Sequence, residues 1–548
     1  MTAVTGPALA PPRATRSGQL AGTGTLLRLA LRRDRVMLPV WVAVVTVAIV
    51  NSADAITTFY GTAAERAGLA RSMAANGSLR ALYGPVFSDS VGGLTAWRMV
   101  GYGGIFAAVM SLIVVVRHTR EEEETGRQEM LSSAVVGRRA PLTSALLTAL
   151  GANALIALLV TLGLTGAGLP AGGSLALGLA VAGQGLCFAG LAAVAAQLTE
   201  SARAAKGLAG AALGLAFVLR AAGDAATADG SSPLTWSSPI GWAENVRALA
   251  NERLPVLLLL YAAAALTAAV AYVLAGRRDI GASFLPARPG APAAPAHLAG
   301  PYGLAWRLQR GTLLGWVLGF AVAGAVFGGI TDGVADLVGD NENTRRMIER
   351  MGGRQGVTDS FLAGMTGMLG MVVALYAVGA VLRLRGEETG ERAEPVLAAA
   401  VGRLRWAASH LVIAFAGTAV VLLAGGLGMG LAYGITAGDV GGRLPSVLGA
   451  ALAQVPAAWT LAALALLLFG AVPRASALAW AAAGSSLAIG WLGPAFRLPR
   501  WALDLSPFGH LPKLPGGEAT AAPYLWLLAL TAVLTAAGLA AFRRRDLG

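Results

Sequence analysis

Residues 140–199 read APLTSALLTALGANALIALLVTLGLTGAGLPAGGSLALGLAVAGQGLCFAGLAAVAAQLT, without one Asp, Glu, Lys or Arg. That length suffices for two membrane spans of about 20 residues joined by a tight Gly/Pro hairpin. The same pattern recurs outward in both directions. The 548-residue chain is 56% hydrophobic and 13% charged, whereas soluble domains carry about 25% charged residues. Composition therefore excludes an ordinary soluble protein and predicts an all-α, polytopic membrane protein.

Apolar windows predict spans near 37–56, 97–116, 142–164, 173–198, 204–222 and 255–276. A second set follows near 311–331, 361–382, 407–433, 445–470, 475–493 and 522–542. Residues 1–25 form a loose cytoplasmic leader without the apolar core of a signal peptide. Residues 26–285 and 301–548 make two six-helix halves, and the Pro-, Ala- and Gly-rich stretch 286–300 links them. About 12 transmembrane helices, a basic start and the basic end Arg543-Arg544-Arg545 place both termini in the cytoplasm. On that topology most of the 42 Lys and Arg lie inside, so the formal charge of +13 reads as topology. With no soluble basic domain, nucleic acid is excluded as a partner. The single Cys187 excludes an intrachain disulfide.

A glutamate-rich cassette follows the second span of each half. The first copy is Glu123-Glu124-Thr125-Gly126-Arg127-Gln128-Glu129, ending at Gly137-Arg138. The second is Glu387-Glu388-Thr389-Gly390-Glu391-Arg392-Ala393-Glu394, ending at Gly402-Arg403, with Glu391 read as an inserted residue. Three further pairs recur in the same order. Arg32-x-x-Arg35 answers Arg307-x-x-Arg310, Ser238-Pro239-Ile240-Gly241 answers Ser506-Pro507-Phe508-Gly509, and Arg277-Arg278-Asp279 answers Arg544-Arg545-Asp546. Ordered matches at near-constant offset indicate an internal duplication, and six spans per half make the repeats parallel.

The first cassette predicts a short amphipathic helix with Met130, Leu131, Ala134 and Val135 on one stripe. Gly126 and Gly390 mark the turn before that helix, and Gly137 and Gly402 its C-terminal stop. It is either a membrane-surface helix or a docking element. The acidic front, which anionic lipid would repel, favours a soluble protein partner. The Arg-x-x-Arg stretches read as topology anchors. The Ser-Pro-x-Gly segments read as helix-breaking elements that either cap a cavity or simply turn the chain.

Lys206 and Lys513 are the only lysines and neither lies in a phosphate-binding Gly-rich loop. The four histidines show no metal-ligand spacing. No catalytic residue and no metal site are assigned. The span centres contain no charged residue; Asp54, Arg98 and Arg220 lie near span ends, where snorkelling is the default reading. Asn153, Gln184, Gln197 and Gln454 read as contacts between helices. An embedded proton carrier is therefore not visible, which points to an external energy source.

On the two cassettes, the twelve-span length and the paired Arg-Arg-Asp endings, the chain resembles the permease subunit of actinobacterial ABC exporters. The type is that of the tetronasin and polyketide-antibiotic exporters, ABC-2-like or type V. The resemblance implies ATP-driven efflux of hydrophobic or amphiphilic small molecules across a bacterial plasma membrane. It also implies two copies of a separate cytoplasmic ATPase, which bind ATP–Mg, and no cofactor in this chain. Carried over by position, Glu123, Glu124, Gly126, Arg127, Glu129, Gly137 and Arg138 form one ATPase-coupling element. Glu387, Glu388, Gly390, Arg392, Glu394, Gly402 and Arg403 form the other. The four glutamates Glu121–Glu124 stand against Gly386 and two glutamates in the second copy, and Pro395 replaces Met130, so the two contacts are expected to differ. A proton-coupled antiporter and a non-transporting membrane scaffold remain the alternative readings. The residues that bind cargo are not legible.

Overall fold

The computed structural model describes residues 18–75, 77–132, 136–279, 281–285, 293, 295, 300–331, 356–496 and 499–546. The chain divides into two compact units, Met1–Pro289 and Gly290–Gly548. Most of the linker 286–300 and of the leader lies outside the described residues, as do Ala134, Val135 and Ile280. The described residues are helical, with no strand among them. Eleven helical segments among them are long and apolar enough to cross a membrane. Helices of that length and composition are those of a multi-pass membrane protein.

Unit 1 opens with the amphipathic helix α1 (Thr23–Arg33), which buries Ala30 and leaves Leu29 and Leu31 exposed. The spans are α2 (Met37–Phe59), α5 (Val91–Arg117), α8 (Ala140–Gly166), α9 (Ala171–Leu198), α10 (Ala202–Ala226) and α13 (Pro255–Arg277). Short helices α3 (Ala63–Ala75) and α4 (Gly77–Tyr83) follow α2. The pieces α6 (Arg120–Glu124) and α7 (Arg127–Ser132) follow α5, and α11 (Pro233–Trp236) and α12 (Pro239–Asn245) precede α13. Helix α9 is the spine. Its Ala- and Gly-rich surface lets α5, α8 and α13 pack closely around it. By contrast α13 exposes Leu258, Leu266 and Val273, the pattern of a helix facing lipid.

Unit 2 contains α14 (Pro301–Thr331), α15 (Val357–Thr389), α16 (Ala393–Ala398), α17 (Arg403–Thr436), α18 (Val440–Leu452), α19 (Val455–Ala471), α20 (Leu478–Phe496), α21 (Arg500–Leu503) and α22 (Ala521–Arg544). Helices α14 and α17 run in close contact. A Cβ on Gly324 would collide with the Gly425 carbonyl, and one on Gly328 with the Met429 carbonyl. The span expected at 445–470 is built from α18 and α19, with Ala453 and Gln454 between them. The segment expected at 475–493 forms the 19-residue α20, which is not among the eleven spanning segments.

The Ser-Pro-x-Gly segment starts a helix in unit 1 and turns the chain in unit 2. In unit 1 the buried Ser238 caps α12, accepting from the Ile240 N–H at 3.2 Å and donating to the Ala216 carbonyl at 2.7 Å. Pro239 occupies the first helical position, where its missing N–H costs nothing. In unit 2 Pro507–His510 forms a single 3₁₀ turn.

Candidate functional site

In unit 1 the second span stops at Arg117 and the chain bends before the cassette. His118 and Arg117 close around the buried Asp34, at 2.6 and 2.9 Å, which ties the bend to the end of α1. Beyond it, α6 carries the glutamates in four directions. The Arg278 guanidinium grips Glu123 with two parallel hydrogen bonds of 2.6 and 2.9 Å, the geometry that best matches a carboxylate. Arg278 also donates from Nε to Gln197 at 2.7 Å. The buried Arg120 donates to Glu123, to the Thr199 carbonyl and, at 2.9 Å, to the Ala282 carbonyl. Glu124 accepts from the Ala202 N–H at 2.9 Å, Glu121 pairs with Lys206 at 2.9 Å, and Glu122 pairs with Arg33 and Arg127. Arg138 donates to the backbone carbonyl of Arg278. One short acidic helix thus ties together α1 and the ends of α9, α10 and α13.

Unit 2 repeats this arrangement on an unbroken helix, because α15 continues to Thr389. The two terminal nitrogens of Arg545 lie 2.7 and 2.8 Å from the two oxygens of Glu388. Arg385 pairs with Glu388 at 3.3 Å, and Arg383 and Arg392 pair with Glu387 at 3.1 and 2.8 Å. Arg403 donates to the backbone carbonyl of Arg545 at 2.8 Å. Six of these residues have unit 1 counterparts: Arg120 and Arg385, Glu122 and Glu387, Glu123 and Glu388, Arg127 and Arg392, Arg138 and Arg403, Arg278 and Arg545; Arg383 has His118 at its position and takes the place that Arg33 of α1 fills in unit 1.

This geometry corrects the register read from sequence. All but the last of those pairs are separated by the same number of residues, so no residue is inserted in the second copy. The Glu-Glu-Thr-Gly match was one position off, because a run of four glutamates can slide. Glu391 stands where Gly126 stands: both adopt left-handed backbone, with φ of 57° and 71°. Gly390 has an ordinary φ of −91°. Gly402 does not stop α16. Ala400 takes the left-handed position beyond it, at φ 58°, and Gly402 is the N-cap of α17. Gly137 is packed against the backbone of Gly18 and Gln19 and donates to the Ala21 carbonyl at 2.9 Å.

The acidic front is likewise not presented whole to solvent. Glu123 and Glu388 side chains are each 6% exposed, because their charge is spent on arginines of the same unit. The exposed cassette surface includes Glu124, Thr125, Arg127, Glu129, Met130 and Arg138 in unit 1 and Thr389, Gly390, Glu391, Arg392, Glu394, Pro395 and Gly402 in unit 2. Met130 is 69% exposed. It borders a groove of about 340 Å³ with Leu26, Leu29, His118, Glu122 and Pro141, between α1 and α7. Ala134 and Val135 of the expected stripe lie outside the described residues.

One further reading holds and one changes. Gln197 is part of the Arg278 cluster, while Asn153 donates to Ser111 at 2.8 Å and Gln184 to the Val100 carbonyl at 3.0 Å, joining helices as expected. Arg220 does not snorkel. It is buried beside Asp224 and Glu244, which are buried as well. Sequence reading missed Glu244 because it lies in a loop segment between predicted spans, and missed the role of Arg120 and Arg385 because nothing in a charge run marks which member is buried, as Arg120 is, or pairs inward, as Arg385 does.

Comparison with known proteins places this geometry in a family. A family model described as the C-terminal domain of the multidrug efflux system permease Rv1217c matches residues 298–543. Over 532 residues the chain is 47% identical to the multidrug efflux system permease protein Rv1217c of Mycobacterium tuberculosis, covering 97% of this chain and 96% of the relative. The chain belongs to the Rv1217c family of multidrug efflux permeases. The match to this family's C-terminal domain contains the second cluster from Arg383 through Glu388 to Arg403, without its last member Arg545.

Proposed function

We propose that this chain is the membrane-spanning subunit of an ATP-driven exporter of hydrophobic and amphiphilic small molecules. In this reading it is of the ABC-2-like, tetronasin and polyketide-antibiotic type, and two copies of a separate cytoplasmic ATPase bind ATP–Mg and energise it. The observation that supports this most is the near full-length relation to a multidrug efflux system permease. The twice-built ion cluster supports the coupling mechanism. Helices α7 and α16 dock on the ATPase through Arg127 and Glu129 and through Arg392 and Glu394. Glu123, Glu124 and Gly126, with Gly137 and Arg138, hold α7 against its unit; Glu387, Glu388 and Gly390, with Gly402 and Arg403, do so for α16. A push on either helix reaches the end of the last span of its unit through Arg278 or Arg545. The bidentate geometry of Arg278 on Glu123 allows little slack, so displacement there is transmitted rather than absorbed. Both termini lie in the cytoplasm of a bacterial cell in this topology.

The test is co-purification of an ATPase with the tagged chain from its native membrane, wild type against Glu129→Arg plus Glu394→Arg. These positions are equivalent and exposed, so the reversal leaves the internal clusters intact. An ATPase held by wild type and lost from the variant supports the reading. No ATPase with wild type sinks it and turns attention to proton-driven exchange.

A further inference from the structure

Three charged side chains of unit 1 are buried together away from the cassette. Arg220 and Asp224 stand one turn apart on α10, and Glu244 comes from α12. Arg220 Nε lies 3.3 Å from Glu244 Oε1, and Arg220 Nη1 lies 3.7 Å from Asp224 Oδ2. Most of the guanidinium is spent elsewhere, donating to the Ala81 carbonyl at 2.8 Å and the Leu82 carbonyl at 3.4 Å. Asp224 accepts from Thr235 at 2.7 Å through Oδ1 only. Neither oxygen of Glu244, nor Oδ2 of Asp224, accepts a hydrogen bond.

The other titratable and charged groups around Glu244 do not supply the missing charge. Arg80 donates to the backbone carbonyls of Asp224 and Ala225, at 2.9 and 2.8 Å. Tyr102 of α5 faces the cluster and donates to the Leu82 carbonyl at 3.4 Å, and Tyr83 of α4 and Arg98 of α5 lie near Tyr102. Arg247 stacks on Phe87 at 4.1 Å and donates to the Asp229 carbonyl at 3.1 Å. Among the described residues Arg220 is therefore the one cation within ion-pair distance of the two buried carboxyls, with Arg80 acting on Asp224 from farther off. Two ionised carboxylates sharing a site in low dielectric repel each other, and an uncompensated buried charge costs several kcal/mol. A single proton between them removes the repulsion and leaves Arg220 paired with one negative charge.

We propose that Asp224 and Glu244 form a proton-binding site that holds one shared proton at neutral pH and locks α4, α10 and α12 together. Loss of the proton leaves two anions against one guanidinium. The pair then pushes apart, Glu244 shifts against the turn at Gly84, where its carboxylate occupies the space a Cβ would need, and α12 loosens from α10. Burial holds the Glu244 carboxyl well above the ordinary carboxylate range, in keeping with a bound proton. Because the folded state binds that proton more tightly than the unfolded chain, the stability it contributes is complete below the unfolded value. It is lost as pH rises through the folded one. The site is independent of the docking surface. At the positions matching α12 in unit 2, Pro512 replaces Glu244, so unit 1 alone carries it.

The experiment is an alkaline titration of the intact chain in nanodiscs, read by infrared difference spectroscopy of the protonated-carboxyl C=O stretch, with thermal unfolding at each pH. Wild type is expected to show this band at neutral pH, to lose it with release of one proton per chain, and to unfold at lower temperature as it does so. The isosteric Glu244→Gln and Asp224→Asn variants are expected to lack the band and that proton release. A band that survives in both variants overturns the proposal. Should neither variant fold, wild type decides alone: absence of the band at neutral pH overturns it, and its loss together with the fall in unfolding temperature upholds it.

Discussion

Glu123 and Arg278 show how much a single charged pair carries here. Both side chains are almost fully buried, at 6% and 7% exposure, so removing one strands the other without water. Loss of one partner of a buried pair costs about 3–5 kcal/mol. Glu123→Ala is therefore expected to lower the thermal unfolding midpoint of the purified chain markedly, and Glu388→Ala likewise through Arg545. The exchange Glu123→Arg with Arg278→Glu should recover part of the loss; an additive double variant would show that the two do not interact. The turn residues make a second prediction. A β-branched side chain at left-handed φ costs about 1–2 kcal/mol, so Gly126→Val should destabilise by that much, with no clash to add to it. Glu391→Gly should be neutral or mildly stabilising, and urea-unfolding midpoints of the two variants separate these signs. The run Glu121–Glu124 was conspicuous in the sequence. Which glutamate faces inward was not, because four adjacent acidic residues on a helix look alike until their partners, 155 residues away for Arg278, are in place.

Among the elements, α14 and α17 are joined by the absence of side chains. Gly324 and Gly328 sit one turn apart and meet the backbone at Gly425 and Met429. In a membrane, where lipid is as apolar as leucine, such close backbone packing is what holds helices together. Gly324→Val should force the pair apart and reduce the yield of folded, monodisperse protein in size-exclusion chromatography. Gly311→Val, on the same helix with open space at its Cβ, should not. Helix α12 makes the opposite point. Pro239 and Gly241 suggested a broken segment, yet Ser238 supplies the cap and Pro239 fits the first turn. Composition alone does not tell a helix start from a helix break, since the same proline serves both.

For the molecule, the decisive expectation concerns energy. Dye efflux from cells expressing this chain without an ATPase should stay at background, and should rise when the partner ATPase is supplied; efflux that persists without one would exclude the proposed mechanism. The clusters of each unit should matter to coupling more than to docking. Arg545→Lys, which keeps charge but loses the two-pronged grip, is expected to retain the ATPase on co-purification while cargo-stimulated ATP hydrolysis falls.

The sequence by itself determined that the chain is helical, crosses the membrane many times and carries the same charged cassette after two of its spans. Those properties follow from local composition: apolar runs of spanning length have one stable form in lipid. Tertiary structure decided which charges are internal. It turned the acidic front into two clamps, set the register of the repeat through the left-handed pair Gly126 and Glu391, and brought Glu244 to Arg220 and Asp224. None of that is local, because a charge is defined by the partners that fold against it, and those lie a helix or more away in the chain.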